Sequence, residues 1–334
     1  MKGYFKQLAP KLKEIRRDIH RHPETSFQEF RTQKLIAAKL QEFGLQTVHT
    51  GLATTGVVGT IRGTLPGQAR TVGLRADIDA LPMTEEGNPA HKSTVPGKFH
   101  GCGHDGHTTM LLGASKYLQE HRHEFSGEVH VIFQPAEEGD GGAKVMMEEG
   151  LFETFPCEQI FAMHNWPGLK QGVVDVQSGA RMASNDNFDI IMEGNGGHAA
   201  FPHLCSDPIL AASAVIMAIQ SLVSRNNNPV EPLVISVTQF QIEGSKAYNV
   251  IPSKVKIMGT MRCFSRQIRK DLPKKFNNLV QQVALGYDCR ANIKWHDLGF
   301  PPTVNDLQAS QIAKLAAQQT VGTDVFSQWA LNCS

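Results

Sequence analysis

The sequence predicts an α/β protein with a second, α+β domain inserted at roughly residues 183 to 295, and three observations lead to that expectation. Through the first half of the chain, short β-branched runs alternate with helical periodicity, the pattern of strands and helices packed in layers. After residue 177 the order changes to strand, long helix, two strands, long helix and strand, which suits an antiparallel sheet covered by two helices. And 334 residues, 41% hydrophobic and 19% charged, supply material for more than one core.

Each element has its own signal. Phe5, Leu8, Leu12, Ile15 and Ile19 mark one face of an opening helix, and Leu35, Ile36, Leu40 and Phe43 mark a second, stopped by Gly44. Strands are predicted at 56–61, 71–76, 128–133 and 159–163, with helices at 108–119 and 143–149. In the second region a strand is predicted at 188–192, a helix at 208–224, strands at 233–242 and 254–261, a helix at 266–285 and a strand at 289–295. Asn226 to Pro229 reads as a loop. The expected organisation is 1–182, an inserted 183–295, and 296–334 returning to the first domain.

Composition excludes several classes. The net charge is +1 and no basic run appears, so neither a nucleic-acid scaffold nor a membrane footprint is indicated. The first 21 residues are charged and helically periodic, without the apolar core of a signal peptide, and no stretch reads as a transmembrane span. The six cysteines fall without paired spacing, as free thiols in a reducing compartment do. A cytoplasmic protein is expected.

The segment His100-Gly-Cys102-Gly-His104-Asp105-Gly-His107 packs a thiol, three imidazoles and a carboxylate around three glycines. A thiolate and an imidazole two residues apart can reach one borderline-soft cation, and glycines let the chain turn tightly between them. Asp77 and Asp79 follow one predicted strand, Glu137 and Glu138 another, and His164 a third. In open α/β sheets the carboxyl ends of strands form the ligand-binding edge, so these segments converge. Cys102, His104, Glu138 and His164 offer donors for one closed metal site or the start of a two-metal site. Of the adjacent Glu137 and Glu138, one can bind the cation while the other takes a proton from a metal-bound water. Asp77 or Asp79 can accept from a ligand imidazole and fix its tautomer. Gly101-Cys-Gly103-His-Asp-Gly106 also matches the dinucleotide fingerprint. It follows Val95-Pro-Gly-Lys98 rather than a hydrophobic strand, and bulky polar side chains stand where a pyrophosphate needs clear backbone, so an oxidoreductase is rejected.

Arg75-Ala-Asp77-Ile-Asp79-Ala-Leu-Pro82, the 100–107 segment, Phe133-Gln-Pro-Ala-Glu137-Glu138-Gly139, His164-Asn-Trp-Pro167-Gly168 and Gly197-His198-Ala-Ala-Phe-Pro202-His203 closely resemble the metal-dependent amidohydrolases of the aminoacylase and carboxypeptidase superfamily. The branch resembled is that of hippurate, indole-acetyl-amino-acid and N-acyl-amino-acid hydrolases. His20-Arg-His22-Pro-Glu24, Tyr248-Asn249-Val-Ile-Pro252 and Gly259-Thr-Met-Arg262 are also similar. The resemblance implies a catalytic domain with a mixed sheet flanked by helices and an inserted lid that mediates a homodimer. It also implies two divalent metal ions, manganese or zinc, and hydrolysis of the amide bond of a small N-acyl amino acid. By motif, Cys102, His104, Glu138 and His164 fall on metal-ligand positions and Glu137 on the general base, with Asp79 counted among the catalytic residues. His198, Asn249 and Arg262 fall on positions that contact the substrate carboxylate or the oxyanion, His198 across the dimer. Chemically, a guanidinium fork with an amide holds a carboxylate, and an imidazole donates to an oxyanion. The family continues past this point with a further metal-binding histidine, whereas here no histidine follows His296. The expectation from the sequence is therefore an incomplete catalytic end. The alternative reading is a non-catalytic remnant that keeps the fold and weak metal binding.

Overall fold

The computed structural model describes residues 1–244, 247–296, 299–321 and 325–326; Thr323, Asp324 and the closing segment 327–334, with Cys333, lie outside the described residues. The chain divides into two units, Met1–Lys170 and Gln171–Ser334.

In order, the first unit contains α1 (Lys2–Arg21), α2 (Phe30–Glu42), β1 (Thr47–Thr50), β2 (Val57–Arg62), β3 (Thr71–Asp77), α3 (His104–Glu120), β4 (Glu128–Gln134), α4 (Gly142–Glu148), α5 (Leu151–Thr154) and β5 (Gln159–Ala162). The strands lie in the order β1-β2-β4-β3-β5. β3 runs parallel to both β4 and β5, while β1–β2 and β2–β4 are antiparallel. Successive side chains of a strand point to opposite faces, and β2 and β4 follow that rule. Val57, Ile61, Val131 and Phe133 pack with Ile36 and Leu40 of α2 and Leu111 and Leu112 of α3. Val58 and Ile132, on the other face, pack with Met146 of α4 and Leu151 of α5. Both faces are covered, which is why these strands read as continuous apolar runs. Each fully buried side chain of this kind contributes roughly 1.5–3 kcal/mol.

Two boundaries differ from the sequence reading in ways that bear on the site. The helix expected at 108–119 starts at His104. Its polar first turn looks like a loop, yet Asp105 favours a helix N-terminus and the other polar groups there are buried against partners. The strand expected to reach residue 163 ends at Ala162, so His164 stands in the loop beyond the strand.

The second unit contains β6 (Val174–Asp175), β7 (Gly179–Met182), β8 (Asp186–Glu193), β9 (Gly197–His198), α6 (Pro208–Ser224), β10 (Leu233–Glu243), β11 (Val250–Ile251), β12 (Lys254–Cys263), α7 (Arg266–Leu285), β13 (Arg290–Trp295), β14 (Thr303–Asn305), α8 (Leu307–Val321) and β15 (Val325–Phe326). Its main sheet is antiparallel, in the order β10-β12-β8-β13. Every second residue of β12 is buried, the alternation of a sheet with one covered face. α6 and α7 cover that face, with the rings of Phe188, Phe276 and Trp295 meeting tilted or edge-on at separations of 4.7 Å (Phe188–Phe276), 5.4 Å (Phe188–Trp295) and 5.1 Å (Phe276–Trp295). α6 begins where the sequence says it must. Asp207 accepts from Ile209 N at 2.8 Å and Pro208 takes the first helical position. The α/β class and the antiparallel sandwich expected from the sequence are thus both present. Among the described residues no helix is long and apolar enough to cross a membrane.

Candidate metal centre

Parallel β3, β4 and β5 end on one edge of the first unit's sheet, and the acid and imidazole side chains follow from those ends. Asp77 closes β3 and Asp79 comes just after, Glu137 and Glu138 follow β4, and His164 follows β5. Cys102 and His104 reach the same edge through Gly103, which turns the chain into α3 at φ +94°. A Cβ at Gly103 would lie 2.3 Å from Asn165 Oδ1. Only glycine therefore lets this turn approach the loop carrying His164.

His104 is the hub. Its Nδ1 lies 2.9 Å from the Asp79 carbonyl and 3.3 Å from Asp79 Oδ1, so it donates to Asp79 and turns Nε2 to the opposite side. Nε2 is buried with no hydrogen-bond partner and faces Glu138 Oε1 at 3.8 Å, an oxygen that also lacks one. Glu138 is fixed through its backbone, whose N–H donates to Asp79 Oδ2 at 2.9 Å. Cys102 Sγ lies 3.4 Å from His164 Nε2. Donor atoms of Cys102, His104 and His164 lie within 4.8 Å of one another, as do those of His104, Glu137 and Glu138, and those of Asp77, His104 and His107. The other three residues predicted as ligands, Cys102, Glu138 and His164, therefore gather around His104, with Glu137 beside them. Two buried polar atoms that face each other beyond hydrogen-bond range leave room for an ion. Thiol, imidazole and carboxylate are the donors a borderline divalent cation takes.

The electrostatics agree with that fit. Burial works against the charge on Asp77, but the bond from His107 and the Arg75 guanidinium, 2.8 Å away, hold its carboxyl well below the usual range. Burial pushes Glu137 and Glu138 up, and neighbouring carboxylates add to the rise. Burial opposes a charge on His104 too. Asp79, Cys102 and Asp77 outweigh it and push the imidazole up to about 11. His104 acts to lower the Cys102 thiol, but burial, Glu138 and Glu137 overcome it and the thiol sits above its ordinary value. One imidazole thus carries the positive charge for a set of acids, and a divalent cation would take over that task and expel the His104 proton.

Sequence reasoning did not assign His107 or Asn165. His107 Nδ1 lies 2.6 Å from Asp77 Oδ1, and its Nε2 accepts from the Asn165 backbone N–H at 3.0 Å. His164 Nδ1 in turn sits 2.6 Å from the Asn165 carbonyl. His107 therefore ties the His164 loop to β3. The available signal was spacing, since residues i and i+3 of a helix share a face and His107 follows His104 in α3. His100, from the same motif, belongs to a second buried group. Its ring lies 6.3 Å from that of His20, which bonds Asp105 at 2.9 Å and Glu85 at 3.3 Å.

The remaining candidates lie in the second unit. His198 is exposed on β9, opposite Val250 of β11, and its Nδ1 accepts from Ala200 N at 3.1 Å. The Asn249 carbonyl accepts from Ala199 N at 2.9 Å, so His198 and Asn249 share one two-stranded ribbon. Arg262 is half-buried on β12, opposite Val234 of β10.

Residues 73–330 match the sequence pattern of peptidase family M20/M25/M40. The chain is 44% identical over 315 residues to the IAA-amino acid hydrolase ILR1-like 4 of Arabidopsis thaliana, covering 93% of this chain and 70% of that protein. It is 40% identical over 315 residues to the hippurate hydrolase of Campylobacter jejuni, covering 94% and 80%. Among solved structures it is similar to a dinuclear metal binding peptidase from the M20 family of Bacillus subtilis, with a TM-score of 0.83 at 34% identity, covering 98% of this chain and 83% of that one.

Proposed function

This chain belongs to peptidase family M20/M25/M40 and is a metal-dependent amidohydrolase; from that premise we propose that it hydrolyses the amide bond of N-acyl amino acids with Glu137 as general base. The observation that carries the reading is the pair of buried, unpartnered atoms His104 Nε2 and Glu138 Oε1, 3.8 Å apart beside a desolvated Glu137. Cys102, His104, Glu138 and His164 would hold the metal, as two divalent ions, manganese or zinc. When bound, such ions act as Lewis acids toward a carbonyl and toward water.

The chain's own residues do the rest. Burial raises Glu137 above the ordinary carboxylate value, with the Asp77 carboxylate adding to the rise, and a raised carboxylate is a stronger base toward water. It takes a proton from the attacking water as oxygen bonds to the acyl carbon, and delivers it to the departing nitrogen as the C–N bond breaks. Asp79, bonded to His104 and to the Glu138 backbone, orients both. Asn249 and Arg262 hold the substrate carboxylate, and His198 donates to the oxyanion from the other subunit of a dimer built on the 183–295 lid segment. The two relatives' names, an IAA-amino acid hydrolase and a hippurate hydrolase, support an acyl group attached to an amino acid with a free carboxylate. The five described cysteines are all free, which supports a cytoplasmic location.

The test is a hydrolysis screen of acetyl-, benzoyl- and indole-acetyl-amino acids with added manganese or zinc, run beside Glu137→Gln. Turnover in the mutant should fall on the order of a hundredfold to ten-thousandfold while metal content holds. A mutant that keeps its rate rules Glu137 out as the base.

A further inference from the structure

The segment carrying both glutamates leaves β4 through Pro135 and Ala136, and Ala136 is strained. At φ +51° it is one of five described residues other than glycine with positive φ, and it is fully buried. For an L side chain that conformation costs roughly 1–2 kcal/mol and persists only where the surroundings over-determine it. The Glu29 carboxylate supplies that constraint. Its Oε1 accepts the Ala136 N–H at 3.0 Å. The same oxygen accepts the N–H of Phe27 at 3.1 Å, itself at φ +58°. Oε2 accepts from the Thr55 hydroxyl, and Glu29 is 0% exposed. From the far side Gly142 N donates to the Ala136 carbonyl at 2.9 Å, an approach open only to glycine, since a Cβ there would lie 1.9 Å from Pro135 O. Beyond Glu137, the Glu138 N–H is held by Asp79.

We propose that Glu29 is a positioning residue for the reaction, gripping the strained Ala136 so that Glu137 and Glu138 leave β4 in the direction the chemistry needs. Glu29 and Asp79 are then paired clamps, one on the N–H of the residue before Glu137 and one on the N–H of the residue after it. This rests on the reading that Glu137 and Glu138 act in hydrolysis. The grip does not need a charge. Burial pushes the Glu29 carboxyl up toward its neutral form, whose carbonyl oxygen accepts as well. Gln therefore preserves the grip, Asp withdraws its oxygens by a methylene, and Ala removes it.

Turnover at saturating metal and amide hydrogen exchange over residues 134–139 are measured for Glu29→Gln, Glu29→Asp and Glu29→Ala, and for the last two combined with Ala136→Gly. Glu29→Asp and Glu29→Ala should each lower kcat about ten- to a hundredfold, the cost of misplacing a catalytic group by about 1 Å, with KM changed less and exchange faster over that segment. The isosteric Glu29→Gln should recover kcat to within about threefold of the parent. Glycine adopts positive φ without strain, so Ala136→Gly should recover at least half of the logarithmic loss in kcat per folded enzyme in both backgrounds, a readout that a change in general stability does not move. Glu29→Asp carries the test if Glu29→Ala does not fold. Parental kcat and exchange in Glu29→Asp, or no recovery with Ala136→Gly, overturns the proposal. Exchange is read without turnover, so segment protection that follows Glu29 as expected, together with full turnover in Glu137→Gln, sinks the base assignment and leaves the clamp standing.

Discussion

Two buried imidazoles of the first unit sit among carboxylates and end differently. His20 spends both ring nitrogens, Nδ1 on Asp105 at 2.9 Å and Nε2 on Glu85 at 3.3 Å. His104 spends only Nδ1, on Asp79, and keeps Nε2 buried without a partner across from Glu138. An imidazole with both nitrogens used is a bridge that ties elements together, here α1, the segment around Glu85, and α3. One with a buried nitrogen left over is a ligand held ready by its other bond. What separates the two imidazoles is unused bonding capacity, since both stand against carboxylates.

The sharpest way to break this comparison is to remove each imidazole. His104→Ala should cost on the order of a hundredfold or more in metal affinity, at least the upper end of what outer-shell losses cost, with turnover lost alongside. His20→Gln should leave metal stoichiometry unchanged and instead lower stability by roughly 1.5–3 kcal/mol, the value of a hydrogen bond to a charged group. The bond to Asp105, opposed by burial, raises His20 above its ordinary 6.5. Its contribution is therefore full below that pH and fades as pH climbs through the raised value. Metal titration and denaturant melts at two pH values decide it, and equal metal loss in both mutants would erase the distinction.

Asp79 tests what makes His104 different. One oxygen accepts from His104 and the other from Glu138 N, so Asp79→Asn turns an N–H toward one of two donors. Metal affinity should fall about ten- to a hundredfold, measured by competition with a chelator. An unchanged affinity would mean that the backbone carbonyl of Asp79 alone orients His104.

How much of this could be read from sequence depends on where the information sits. The converging edge was legible because Asp77, Glu137 and His164 each follow an apolar run, and parallel strands carry such residues to one side. The bounds expected for α6 and α7, 208–224 and 266–285, are those observed, and the structure adds the reason each starts there, as Asp207 and Ser265 cap the first turns. The start of α3 was not legible, since His104-Asp-Gly-His107 carries no apolar periodicity and its turn is set by tertiary bonds. The same motif supplies His100 and His104, and only folding sends one beside His20 and the other to Asp79. Glu29 was invisible for a related reason, as a glutamate between Gln28 and Phe30 reads as a surface acid until Ala136 is brought to it from 107 positions away.

The second unit extends the comparison to a charged group whose role depends on substrate. If Arg262 holds the substrate carboxylate, Arg262→Ala should slow free-acid substrates about ten- to a hundredfold more than the matching amides, the worth of a charge-assisted bond. Steady-state kinetics on a paired series measures it. Equal losses for both would assign Arg262 to the sheet instead.

The smallest effect is expected where the acid–imidazole pattern recurs near the surface. Asp189 pairs with Lys256 at 3.0 Å and His296 at 3.2 Å, with side chains 19%, 27% and 44% exposed. Partial burial works against its charge, but Lys256 and His296 hold the carboxyl below its ordinary value. A carboxylate lowered in this way stabilises the fold above its unfolded value near 3.8 and loses that contribution as pH falls through the folded one. Water and salt screen such pairs, so Asp189→Asn should cost less than about 1 kcal/mol. The gap should persist while Asp189 keeps its charge, close below about pH 4, and shrink in high salt. Thermal melts across pH and ionic strength would show this. A cost as large as that of His20→Gln would mean that burial is not what separates a structural acid–imidazole bridge from a surface ion pair.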